Sequence, residues 1–335
     1  MTTLYCALAL LSGVIGAGFA SGQEIAHFFA AHGRAAPLAA CFACLALLVL
    51  FGRLPVLMER AGAHSLQALC AMRFGQRFGR LCAGLFFLLF GVTGGAMLSA
   101  CAELAALTLP LRHAYGLGMI TSLLLGAFLC MRGISGLALP GAALCVLLPL
   151  LLLRLLRLPV GEACFSPAQD ALGAAASGLS YGALSAAQLA GALPLLLAMD
   201  RRQRQRGVLL FSLLFCLMLS LGVAVLRRHR QSVFMQPLPL VYLSRALGKP
   251  GHFLCALCLY AAALSTLCAM LTGLLHMLPS RGVLFPALIC LLFARFGFGT
   301  LISRGYPVLG ALCAALLLLL CLPLSLAQKA SSSAR

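Results

Sequence analysis

The sequence predicts an all-α integral membrane protein of about ten transmembrane helices, built as a five-plus-five inverted repeat with spans one and six broken. Three observations predict it. Of 335 residues, 63% are apolar and only 9% charged, which leaves too little polar surface for a soluble domain of this length. The apolar residues form continuous Leu/Ala-rich runs rather than alternating, and a bilayer admits only helices or a closed barrel. Finally, Gly13, Gly18 and Gly22 in the first run recur at a fixed offset of 160 as Gly173, Gly178 and Gly182 in the sixth.

A span needs about 20 mostly apolar residues. The runs fall at 4–32, 35–58, 81–109, 117–132, 136–158, 168–199, 207–226, 252–279, 281–298 and 303–326. The first lacks a basic start and is interrupted by glycines and Gln23-Glu24, so it reads as a span rather than a cleavable leader. Between spans two and three, Leu66, Leu69 and Met72 at helical spacing among arginines predict a short amphipathic helix in the interface. The stretch 227–251 reads as an external excursion, and 327–335 as a polar, disordered tail. Residues 1–160 and 161–326 form the two halves.

The net charge of +18 is spread between apolar runs, not gathered in one patch. It is a topology signal and gives no lead to a nucleic acid. With the amino terminus in the cytoplasm, 13 basic residues lie inside and 11 outside. The densest cluster, Arg201, Arg202, Arg204 and Arg206, flanks a short inner loop, which favours that orientation. Most of the sixteen cysteines fall inside apolar runs, where cysteine is a small hydrophobe. The C-x-x-C pairs Cys41/Cys44 and Cys255/Cys258 lack the histidines or second pair of a metal site.

Five spans separate the two glycine-interrupted runs, and an odd number inverts orientation, the pattern of an inverted-repeat carrier. A helix that breaks at mid-membrane frees N–H and C=O groups, which is tolerable only beside a cavity, ligand or ion. Freed N–H ends suit a carboxylate and freed carbonyls a cation. The alternative is that these glycines only let helices pack closely. The broken-helix reading makes Gly16, Gly18, Phe19, Ser21 and Gly22 in span one, with Ser180, Tyr181, Gly182 and Ser185 in span six, the candidate substrate-binding residues.

Two of the six acidic residues lie well inside apolar sequence, where a charge usually faces a cavity or partner. Glu24 closes a capping box, Ser21-Gly22-Gln23-Glu24, that would restart the helix; otherwise it contacts substrate or carries a coupling proton. Glu103 is the second coupling candidate, unless it snorkels or pairs with Arg112.

The run Ser12–Phe29, SGVIGAGFASGQEIAHFF, resembles the first span of the YkvI-like bacterial membrane proteins. Gly178–Met199, with Ser180-Tyr181-Gly182 before a Pro-containing apolar run, is similar to their sixth. This chain departs from that pattern at Leu184-Ser185, where a polar amide is expected. The family resembles the amino acid, polyamine and organocation carriers of LeuT fold. The resemblance implies a bacterial inner-membrane protein with substrate at the unwound parts of spans one and six. It also implies a sodium site at span eight, where Ala262-Ala263-Leu264-Ser265-Thr266 places adjacent hydroxyls. Carried over by position, the ligands are the carbonyls of Ser12, Ile15 and Ala262 and the hydroxyls of Ser265 and Thr266. Five neutral oxygens suit a monovalent cation; the alternative is that each hydroxyl bonds back to its own helix.

The seven histidines are scattered, and no nucleophile–base–metal cluster suggests an enzyme. The sequence therefore points to a secondary transporter of a small amino-acid-like zwitterion or amine, coupled to sodium. A proton-coupled carrier and a non-transporting sensor on the same scaffold stay open.

Overall fold

The computed structural model describes residues 2–108, 111–159, 171–229, 233, 236, 238–278, 282–301 and 306–321. The predicted tail 327–335, the join of the two halves at 160–161, and Glu162 and Asp170 lie outside the described residues. Among the described residues, seven helices are long and apolar enough to cross a membrane, and three shorter apolar helices complete ten. Large apolar side chains such as Leu124, Leu139, Val146 and Leu213 stud the exterior, as a lipid-facing surface requires.

Span one is three pieces: Thr2–Val14, the single turn Ala17–Ala20, and Gln23–Phe28. Span two, Ala36–Ala61, ends at Gly62 in the left-handed region (φ 65°), the conformation glycine adopts without a Cβ penalty. The amphipathic helix predicted after it forms at Leu66–Phe74, with Ser65 Oγ accepting the Ala68 N–H at 3.1 Å as N-cap. Leu66 and Leu69 turn inward but Met72 is exposed, so its apolar face is narrower than predicted. Spans three to five are Gln76–Thr108, Ala114–Met131 and Ile134–Leu156.

Span six runs as one helix over Ala171–Leu189, tightens to a 3₁₀ turn at Ala190–Ala192, and resumes at Leu193–Leu197. Span seven is Arg201–Arg228 and span eight Gly248–Met277, preceded by a short helix at Pro239–Ser244. Leu284–Ala294 and Tyr306–Cys321 are spans nine and ten.

Helix packing repeats under a shift of five. Span one packs on span five as six does on ten; two on six as seven on one; three on nine as eight on four. That exchange is what two halves of like fold and opposite orientation produce. Spans two and seven meet each other, and at one end Arg204 Nη2 lies 2.7 Å from Glu59 Oε1, with Arg204 buried. The end of span two and the start of span seven therefore share a face.

Candidate substrate and ion site

The break in span one follows from where its N–H groups turn. The Gly16 N–H bonds Val14 O at 3.0 Å instead of the carbonyl four residues back, so Ser12 O loses its helical donor. Span eight fills the gap: Thr266 Oγ1 reaches Ser12 O at 3.4 Å, and Ser265 Oγ reaches Ile15 O at 3.4 Å and Ala262 O at 2.8 Å. All five residues named for the cation are thus brought together, and Ser12, Ile15, Ala262, Ser265 and Thr266 are all buried. Gly16 is what lets the two spans approach, since a Cβ there would sit 3.2 Å from Thr266 Oγ1. The Ser12 hydroxyl itself turns away, donating to Leu137 O of span five at 2.6 Å.

Past the single turn Ala17–Ala20, the N–H groups of Ala20, Ser21 and Gly22 bond Gly16 O, Ala17 O and Phe19 O. The carboxylate cradle expected at Gly18–Gly22 is therefore largely consumed by the turn itself. The expected capping box is also rearranged. Gly22 (φ 84°) is the N-cap of Gln23–Phe28, Ser21 Oγ donates to Gly18 O at 3.0 Å, and Gln23 N reaches Ser21 Oγ only at 3.4 Å. Glu24, freed from capping, accepts the Tyr181 hydroxyl at Oε2, 3.0 Å, while Oε1 lies against Gly18, where a Cβ would collide with it.

Span six corrects the sequence reading most. Gly178 and Gly182 are not a break: the helix is uninterrupted through both. They seat span six on span two, Gly178 against Ala39 O and Gly182 against Ala43 O and Ala46, the close-packing alternative. The interruption lies nine residues beyond Gly182, where Gly191 faces Gly273 of span eight. The string Gly178-Leu179-Ser180-Tyr181-Gly182 has the spacing of a nucleophile elbow. Such an elbow needs a strained strand-to-helix turn; here it is mid-helix, and Ser180 Oγ donates to Ala176 O at 2.8 Å.

A cavity of about 900 Å³ opens between spans one, two, six and ten, lined by Gly18, Gln23, Glu24, His27 and Phe28 together with Ser180 and apolar residues of the other three spans. Of the predicted substrate residues, Gly18, Glu24 and Ser180 line it. Tyr181 stands behind Glu24, its ring against Phe28 and Phe29 at 5.1 and 5.0 Å. Phe19 is fully buried against Phe215 (5.8 Å). Ser21 and Gly22 are covered by the helix Pro239–Ser244, whose Leu240 N–H bonds Ser21 O at 2.9 Å and whose Leu240 side chain lies over Gly22. Ser185 is buried in span six. Glu103 joins none of this: it is exposed, accepting from Ser99 Oγ (3.3 Å) and the Phe298 N–H (3.4 Å).

Thr93 was not singled out from the sequence. It is fully buried on span three and its hydroxyl has no hydrogen-bond partner among the described residues. One turn either side, Met97 faces Gly16 at the first break and Phe90 faces Gly191 at the second, and residues three and four apart share a helix face. Gln188, buried just before the second break, was missed as well. Each is a polar side chain in an apolar run, the only signal the sequence carried for them.

Comparison with known proteins agrees with this architecture. The chain is 26% identical over 316 residues to the uncharacterised membrane protein YkvI of Bacillus subtilis (strain 168), covering 89% of each. Among solved structures it superposes on a Na⁺-coupled sialic acid symporter in a substrate-bound outward-open state, with a TM-score of 0.68. That match has 12% identity and covers 95% of this chain and 77% of that one. It also superposes on Mhp1, a nucleobase-cation-symport-1 family transporter in a closed conformation with bromovinylhydantoin bound. There the TM-score is 0.63 at 15% identity, covering 92% of this chain and 74% of that one. The fold is the LeuT-like one. No family model matches the chain.

Proposed function

We propose that this chain is a YkvI-like secondary transporter of the bacterial inner membrane that couples a small amino-acid-like or amine solute to sodium. One observation carries the reading: carbonyls released at the break in span one meet adjacent hydroxyls of span eight. A hard cation with oxygen ligands about 2.4 Å away, at right angles, holds neighbouring ligand oxygens about 3.4 Å apart. The Ser265 Oγ–Ile15 O and Thr266 Oγ1–Ser12 O separations are both 3.4 Å, long for hydrogen bonds and suited to a shared ion, although Ser265 Oγ also donates to Ala262 O of its own helix at 2.8 Å. The donor set is neutral, which favours a monovalent cation over a divalent one. The two structural relatives, a Na⁺-coupled symporter and a cation-symport family member, support the same class. A second reading, proton coupling, is favoured by the Glu24–Tyr181 pair, a carboxylate held beside the break at a cavity wall.

Purified protein in liposomes, given an imposed sodium gradient and a panel of labelled amino acids and amines, tests the proposal. Sodium-driven accumulation is expected. Thr266→Val and Ser265→Ala should each raise the sodium requirement at least tenfold while thermal stability holds. Side-chain hydrogen bonds between membrane helices contribute about 0.6 kcal/mol on average, so a merely structural pair would give little change. Uptake driven by a pH gradient without sodium, and abolished by Glu24→Gln, overturns the sodium assignment in favour of the proton. Ligand binding with no accumulation overturns the carrier in favour of a sensor.

A further inference from the structure

The cavity between spans one, two, six and ten has a chemistry more specific than the proposed function requires. Its polar corner is Gln23, Glu24 and His27 of span one, with Ser180 across from them. Among the described residues, Glu24 is the only acidic one there, and no lysine or arginine lines the wall. Any solute carboxylate would meet the Glu24 carboxylate, whereas an ammonium would be drawn to it. Apart from the Phe28 ring, the rest of the wall is aliphatic, including Leu45, Val49 and Leu50 on span two, Leu184 on span six, and Ala314 and Leu318 on span ten. Leu45, Val49 and Leu318 are about half exposed, so the apolar wall is open along spans two and ten. A small hydrophilic solute would leave most of such a wall wet or empty.

We propose that this cavity binds an amphiphilic amine, its protonated amino head on Glu24 and its aliphatic chain along spans two and ten. The proposal names a ligand class for the solute site and rests on the transport reading only in treating that ligand as the solute. Binding itself needs neither a gradient nor the span-eight hydroxyls.

Equilibrium binding of radiolabelled octylamine to the purified full chain in phosphatidylcholine nanodiscs tests it, against empty nanodiscs. Saturable binding is expected, displaced by octylamine but not by octanoate or octanol, and at least tenfold weaker for butylamine. Glu24→Gln should weaken octylamine at least tenfold, and Ala314→Phe, which fills the apolar wall, should remove the preference for the longer chain. Equal displacement by octanoate, equal affinity for butylamine, or no saturable binding above empty discs overturns the proposal. These wild-type comparisons decide it even if a variant fails to fold. Binding without sodium-driven uptake overturns the transport reading and leaves this site standing. Sodium-driven uptake of a zwitterion with no amine binding does the reverse.

Discussion

Thr93 is a residue whose cost is visible and whose return is not. A buried hydroxyl without a partner costs about 1–3 kcal/mol, yet Thr93 sits with no bond on the face of span three that touches both breaks. An isosteric valine removes the cost. Thr93→Val should therefore raise thermal stability by about 1 kcal/mol; should the hydroxyl meet a ligand, the same change also weakens solute uptake. Stability and uptake both unchanged would make it a solvated or locally bonded side chain with no role at the site. Glu24 and Thr266 differ from Thr93 in having partners within the chain, so their substitution exchanges contacts instead of removing an orphan.

At the scale of elements, glycine does two different jobs in spans one and six. Gly22, at φ 84°, permits a turn that other residues adopt only under strain, and Gly16 permits the approach of Thr266. Gly178 and Gly182 instead allow two straight helices to touch. Gly182→Leu, which would be a cavity-filling change if the helix broke there, drives a side chain into Ala43 O and Ala46, both 2.7 Å from its first carbon. It should lower folded yield and melting temperature sharply, since overpacking against backbone has little room to relax. Normal expression with selective loss of uptake would restore the break at that position.

At the scale of the whole molecule, the buried Arg204 and its partner Glu59 tie spans two and seven, the pair related to each other by the repeat. Removing the acid strands a buried guanidinium, a change that costs about 3–5 kcal/mol when a pair is fully buried and less here because Glu59 is 41% exposed. Glu59→Ala should consequently destabilise the protein more than Arg204→Met, which removes the charge and keeps the bulk; the opposite order in thermal melts would show the pair to be a surface contact. The same pair bears on orientation. With the amino terminus inside, this face is cytoplasmic and the segment before span eight is external. On a background cleared of native thiols, an impermeant maleimide added outside should label Lys249→Cys and spare Arg202→Cys. The reverse pattern inverts the topology.

Span number, helix type and the interruption of span one were determined by sequence alone, for a local reason. Twenty apolar residues must pair their own backbone in lipid, and Gly16, Gly18 and Gly22 punctuate a run otherwise long enough to cross. The Ser265-Thr266 pair was legible too, through its adjacency within an apolar helix and a resemblance that supplied its partners. Only the tertiary structure decided the rest. Whether a glycine breaks a helix or seats it depends on what faces it, and Ala39 and Ala43 lie 139 residues before Gly178 and Gly182. Glu24 could cap its own turn or bond another span; the choice came from Tyr181, 157 residues away. The cavity's apolar wall is shared among four spans, so no one segment of the chain carries its chemistry, and its shape exists only once the helices have packed.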